Sequence, residues 1–379
     1  MHTDTLFLTL NIFSATGGIE KVCRIAGKAL YETSVQTDRR LMIWSMHDKE
    51  GSVEGNPYFP SEVYSCYGAR KASFVREAVQ QGIQSKTVLL SHINLLMVGW
   101  MIKKISPKTR VILMAHGIEI WGRISKTKSL MLGAVDNIWA VSNYTRQRVM
   151  DHHGVPSDKI AVLNNSLDPF LPAAKNITVP DELYIRYGIR PGQKILFTLT
   201  RLSAKEKYKG YDDVVTALAD LKDPSIKYII AGKADAVEMQ LMQQKISEAG
   251  LAEQVVLAGF IPEDEVAAHF KMSDCYIMPS SKEGFGIVFI EAMFYGVPVI
   301  GGNADGTMDA LKNGELGTAV TPGDVGQIQA AIMKVLADKA GNKSDQRLLI
   351  DSFSYSSYKE RIGLLMNQQV SIPVLITEV

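Results

Sequence analysis

Short apolar runs alternate with longer amphipathic stretches along the first half of the chain. Residues 6–12, 41–45, 87–90, 111–115, 138–141 and 160–163 read as strands, and residues 19–31, 69–84, 95–104 and 143–152 as helices between them. Strands alternating with helices predict an α/β, doubly wound parallel sheet. After Leu167 the periodicity lapses through DPFLPAAKNITVPDE, a proline-containing connector suited to a domain boundary. The alternation then restarts with strands over 195–200, 228–231, 255–258, 275–278 and 297–301, and a last helical stretch covers 355–367. We therefore expect two domains, 1–172 and 173–354. Face to face, two such sheets would place a cleft at the carboxyl ends of their strands, where ligands of this fold class bind.

One stretch carries most of the chemistry: residues 279–298, PSSKEGFGIVFIEAMFYGVP. A buried strand runs into a polar, glycine-bearing loop and then an apolar helix that starts near Ile287 and stops at Gly296. The first amides of a helix lack intrahelical partners and point at what precedes them, so this order suits an anion. Gly284 and Gly286 let the backbone approach a ligand closely. Glu291 lies about 6 Å further along the helix axis than Ile287. If the amides of Phe285, Gly286 and Ile287 hold a diphosphate, Glu291 can accept from a ribose diol on one side and Glu283 can reach a sugar on the other. Read without context, Glu283 is a solvated loop residue and Glu291 an acid favoured by the helix dipole.

Other candidates stand at strand ends. Arg201 follows the strand 195–200, and its planar guanidinium suits a diphosphate, with Lys209 as an added point charge. Lys205, Lys207 and Lys209 also read as a solvated loop. Gly17 and Gly18, in TGGIEKV, permit a tight turn and close ligand contact between the first strand and helix; the spacing is not G-x-G-x-x-G. His116 directly follows the strand 111–115, with His92 a weaker candidate and His152 and His153 read as surface. Phe260 lies between a strand and a helix with Pro262 at its first turn.

Glu, seven residues, Glu, with Gly-Phe-Gly inside and Ala-Met and Gly-x-Pro after, resembles the signature of the retaining nucleotide-sugar glycosyltransferases of family 4. The resemblance implies the GT-B fold: two Rossmann-like domains facing a central cleft, an N-terminal acceptor domain and a C-terminal donor domain, with the final helical stretch, about 355–379, packing back on the first. It implies that Arg201 and the lysine of a Lys-Gly pair, Lys209, hold the pyrophosphate. The spacing between them exceeds the tightest family pattern, which leaves Lys205 or Lys207 as substitutes. It further implies that Gly17 and Gly18 close over donor phosphate and acceptor, that His116 and Glu283 act on the donor sugar, and that the backbone at Phe260 meets the base.

Composition narrows the classes. A chain of 379 residues is too long for one ordinary core, and 46% hydrophobic with 21% charged residues is globular. A net charge of +1 argues against nucleic acid as a partner. Cys23, Cys66 and Cys275 are scattered and read as reduced thiols of a cytoplasmic protein. The apolar run at the N-terminus is too short for a signal peptide, and no stretch approaches the ~20 apolar residues of a membrane span. No Asp-x-Asp occurs, so neither metal nor cofactor is expected, only the nucleoside diphosphate sugar as substrate. Between Gly68 and Lys128 basic residues far outnumber acidic ones; if several share a face with Trp100 or Trp121, this domain would sit on the inner face of a membrane and take a lipid-linked acceptor, and if they point in all directions the stretch is an ordinary solvated surface. The expected activity is transfer of a hexosyl group, with retention, to a hydroxyl of a glycan or lipid-linked glycan in polysaccharide or glycolipid assembly. A nucleotide-sugar epimerase and a non-catalytic sugar-nucleotide sensor are the alternatives. UDP-glucose, GDP-mannose and UDP-N-acetylhexosamines all stay open as donors.

Overall fold

Strands that lie between helices must be apolar on both faces, and the central strands here are. In the computed structural model, which describes residues 3–337 and 344–367, every residue of Ile226–Ala231 is buried. Even Lys227 is 5% exposed, its ammonium donating to the Glu253 carbonyl at 2.8 Å.

Among the described residues the strands form two parallel sheets. The first contains β1 (Thr3–Thr9), β2 (Leu41–Ser45), β3 (Tyr64–Cys66), β4 (Ser85–Leu90), β5 (Arg110–Ala115), β6 (Asn137–Ala140) and β7 (Ile160–Val162), in the order β3-β2-β1-β4-β5-β6-β7. The second contains β8 (Lys194–Leu199), β9 (Ile226–Ala231), β10 (Val255–Gly259), β11 (Cys275–Met278), β12 (Val299–Gly302) and β13 (Thr318–Val320), in the order β10-β9-β8-β11-β12-β13. In both sheets the order reverses once, between β1 and β4 and between β8 and β11. The loops leaving those strands diverge to opposite faces and open a crevice at the carboxyl end. Each sheet has its own apolar core. The chain divides accordingly into two compact units, Leu171–Ser352 being one and the described residues up to Phe170 and from Phe353 onward the other.

Three local readings change. The strand expected over 6–12 ends at Thr9, because the amides of Ile12, Phe13 and Ser14 turn away to the Asp48 carboxylate. The helix expected over 69–84 is Lys71–Gly82; Ala69 is in the left-handed region at φ 67° and cannot begin it. The three-residue edge strands β3 and β13 are too short to show a period, and pairing with β2 and β12 makes them strands.

The helix Tyr355–Asn367 packs on the helix Gly18–Gln36. Lys359 Nζ meets Glu32 at 3.0 Å, and the Arg110 guanidinium on β5 donates to the carbonyls of Leu365 and Met366 at 3.1 Å each. That satisfies carbonyls a helix end otherwise leaves open. The part of the expected C-terminal stretch beyond Asn367 lies outside the described residues. Arg110→Ala should cost about 2 kcal/mol in urea unfolding, the range for hydrogen bonds to a charged group, and raise hydrogen exchange over 355–367. Unchanged exchange there would show that the guanidinium does not secure this helix.

Candidate functional site

At the switch point of the second unit, β11 ends at Met278 and the chain loops before entering the helix Ile287–Phe294. Gly286 precedes that helix at φ 86°, and no side chain caps its first turn. A Cβ on Gly286 would lie 2.5 Å from the Phe289 ring, so both conformation and space demand glycine. Phe285 is 1% exposed, its side chain in the core, so only its backbone can serve a ligand. Glu291 is 5% exposed within the helix.

The loop leaving β8 reaches this loop. The Ser281 N–H donates to the Tyr208 carbonyl at 2.8 Å, and Gly210, at φ 74°, backs onto Pro279 so closely that a Cβ would fall 2.5 Å from its carbonyl oxygen. That contact brings the Lys209 ammonium onto the Glu283 carboxylate as a hydrogen-bonded ion pair. Burial works against the Lys209 charge, but the Glu283 carboxylate outweighs it and holds the ammonium above its ordinary pKa. Lys205 and Lys207 are exposed. Arg201 is also exposed, with its Nη2 on Glu206 Oε1 at 2.6 Å. Phe260 is 56% exposed, with the Lys233 ammonium 5.2 Å from its ring centroid.

The first unit carries the remaining candidates. His116 closes β5 and is buried; its Nε2 lies 2.7 Å from the Ser91 carbonyl oxygen, which can only accept. Nε2 therefore carries the proton of that bond. The His116 N–H donates to Glu119 Oε1 at 2.6 Å. His92 Nδ1 accepts from the Asn94 N–H at 3.0 Å, capping its own turn, and burial lowers its pKa. His153, expected at the surface, is half-buried with Nε2 at 2.6 Å from the Ile120 carbonyl.

Gly17 and Gly18 do not make a tight turn. Gly17 is extended at φ −178° and Gly18 opens the helix Gly18–Gln36, where a Cβ would meet nothing within 4 Å. The loop before them is shaped instead by Asp48, which is fully buried and accepts from the N–H groups of Ile12, Phe13 and Ser14 at 2.9, 3.1 and 2.8 Å and from the Tyr64 hydroxyl at 2.6 Å. Burial alone would raise its pKa; these donors together outweigh it and hold the carboxyl below the ordinary range.

Each unit matches a family model: Glycosyltransferase Family 4 over residues 42–169 and Glycosyl transferases group 1 over residues 181–352. The chain belongs to the family-4 glycosyltransferases. It is 33% identical over 247 residues to the GDP-mannose-dependent alpha-(1-6)-phosphatidylinositol monomannoside mannosyltransferase of Mycolicibacterium smegmatis, a match covering 60% of this chain and 61% of the relative. It is 25% identical over 240 residues to the N-acetyl-alpha-D-glucosaminyl L-malate synthase of Bacillus anthracis, covering 62% and 60%. The matches thus span about three-fifths of these relatives' length. Anabaena HepE, solved in complex with UDP, superposes with a TM-score of 0.78 at 20% identity over 96% of this chain and 99% of that one, which shows the GT-B fold.

Among the site residues of this family member, Asp305 and Glu206 escaped the sequence reading. An Asp-Gly pair after β12 was the available signal for the first. Glu206 lies five residues beyond the arginine it binds, in the longer spacing that separates Arg201 from Lys209. Gly286→Ala should destabilise the protein by about 2 kcal/mol, since an L-residue in the left-handed region costs about 1–2 kcal/mol before the clash with Phe289 is added. Urea unfolding that matches the wild type would mean the loop can re-form without glycine.

Proposed function

We propose that the protein transfers a hexosyl group from a nucleoside diphosphate sugar to a hydroxyl of a glycan or lipid-linked glycan, with retention and without a metal ion. The observation that carries this reading is the Lys209–Glu283 pair, set at a sheet switch point beside an uncapped helix N-terminus. As the bond from sugar C1 to the diphosphate oxygen breaks, its electron pair passes to the diphosphate. The amides of Phe285, Gly286 and Ile287, with Arg201 and Lys209, stabilise that charge. Both cations are already oriented by carboxylates, so little reorganisation is needed when a diphosphate replaces them as partners. The acceptor oxygen attacks C1 on the face the diphosphate leaves, and its proton passes to the departing diphosphate. Glu283, exchanging Lys209 for sugar hydroxyls, orients the donor sugar, Glu291 takes the ribose diol, and the backbone beside Phe260 meets the base. The roles of His116, Gly17 and Gly18 at the sugar and phosphates rest on the family resemblance.

The mycobacterial relatives' names make GDP-mannose the first donor to try, and the UDP complex of HepE makes UDP-glucose the second. Release of nucleoside diphosphate from these and from UDP-N-acetylglucosamine, in chelator, tests the reading. Slow hydrolysis of one donor is expected, falling about a hundredfold in Glu283→Gln and in Arg201→Ala, as loss of one preorganised partner does elsewhere. A donor bound but not cleaved favours the sensor, and an epimerised donor the epimerase. Neither binding nor release removes the donor site.

The same reading extends to a membrane-bound acceptor. No helix among the described residues is long and apolar enough to cross a membrane. The helix Leu96–Ile105, however, presents Met97 at 46% and Ile105 at 60% exposure, with the Lys104 ammonium 5.7 Å from the Trp100 ring centroid. The adjacent helix Lys126–Gly133 adds Leu130 at 67% and an exposed Lys126. Exposed apolar side chains with lysines beside them on two adjacent helices are suited to an anionic lipid surface. Wild type should sediment with phosphatidylglycerol vesicles and not with phosphatidylcholine ones, and Ile105→Glu with Leu130→Glu should abolish that. Equal sedimentation of variant and wild type would overturn the assignment of this face.

A further inference from the structure

Glu283 is clamped through its own backbone by one dipeptide. Its N–H donates to Asp305 Oδ2 at 2.6 Å, and its carbonyl accepts from the Gly306 N–H at 2.8 Å. Asp305 follows β12, the neighbour of β11, and is 2% exposed. The same carboxylate accepts from Ser280 Oγ at 2.8 Å, where the loop begins, and from the Thr307 N–H at 2.9 Å, where the next helical turn begins. The fit leaves no room for a side chain at 306, whose Cβ would fall 2.0 Å from the Gly284 carbonyl oxygen. None of these contacts engages the Glu283 carboxylate, which is left for Lys209.

We propose that Asp305, seated by Gly306, is a positioning residue for Glu283: it fixes the backbone from Ser280 to Gly286 so that the Glu283 carboxylate is held where a donor sugar would meet it. The inference rests on the role given to Glu283 above. A loop needs only neutral donors and acceptors to be tied down, whereas a buried carboxylate loses solvation that neutral partners would not. Burial raises the Asp305 pKa to about 6, offset only in part by the donors on Thr307, Ser280 and Glu283. A folded-state pKa above the unfolded one means that Asp305 favours folding most at low pH. That contribution is lost as pH rises to about 6, so the ionised group is kept at a cost in stability near neutrality. The charged groups on the elements around it are Lys282 and Glu283 on the β11 loop, Lys209 behind Glu283, Glu291 on the helix Ile287–Phe294, Asp309 on its own helical turn and Lys312 just beyond that turn.

Asp305→Asn is the test, with Asp305→Ala beside it. Three readouts are compared with wild type: hydrogen exchange over 280–287, turnover of whichever of GDP-mannose or UDP-glucose the wild type hydrolyses, and thermal unfolding at pH 5 and 7.5. Exchange in the loop should rise about tenfold in Asp305→Asn without a global change. Its kcat should fall about thirtyfold with KM changed little, as expected for a misplaced reacting group. Wild-type kcat should decline below about pH 6, on a limb that Asp305→Asn lacks, and the variant's unfolding midpoint at pH 7.5 should not drop. Wild-type kcat in Asp305→Asn, or a loss of kcat matched by a loss of midpoint, overturns the positioning role. If Asp305→Ala does not fold, the asparagine variant decides. Should the wild type turn over neither donor, it is the transferase reading that fails, and unchanged loop exchange in Asp305→Asn then separately refutes the clamp.

Discussion

Wherever the strand order of a parallel sheet reverses, two loops leave side by side with backbone groups that the sheet cannot pair. In this protein each unit meets that constraint with one buried carboxylate supplied from the next strand over. Asp48, after β2, gathers three successive amides of the loop leaving β1. Asp305, after β12, gathers an amide and a hydroxyl of the loop leaving β11. The loops are ordered without becoming regular structure, so their remaining amides and side chains face outward for chemistry.

The two carboxylates differ in electrostatic balance. Asp48 receives three amides and the Tyr64 hydroxyl, enough to outweigh burial and hold its pKa low. Asp305 is also buried, but its donors offset that only in part. The first stabilises its loop at neutral pH. The second holds its loop against its own desolvation.

Charge in the second unit is arranged by the same logic of proximity. Arg201 and Lys209 leave the same strand, and each rests on a carboxylate, Glu206 and Glu283. A lysine as enclosed as Lys209 would be driven toward neutrality by burial if Glu283 were absent. Folding therefore delivers an ammonium that is charged and aimed before any anion arrives. The Gly210–Pro279 contact decides which lysine of that loop is delivered.

Much of this was legible along the chain. Apolar runs at strand length, separated by amphipathic stretches, determine two doubly wound parallel sheets, because only strands covered on both faces are continuously apolar. The 279–298 segment determines a helix entry with its flanking glutamates, because local turn and capping rules act within a few residues. The edge strands β3 and β13 escaped, since three residues of mixed polarity carry no period, whereas the all-apolar β7 was legible, and the double glycine suggested a turn that the backbone at Gly17 does not make. What only tertiary structure decided are the pairings across long sequence separations: Lys209 with Glu283, Asp305 with Glu283, Asp48 with Ser14, Arg110 with Met366. No local propensity specifies those partners. They exist because elements distant in sequence lie side by side in the fold, and that neighbourhood is set by how the whole chain buries its apolar faces.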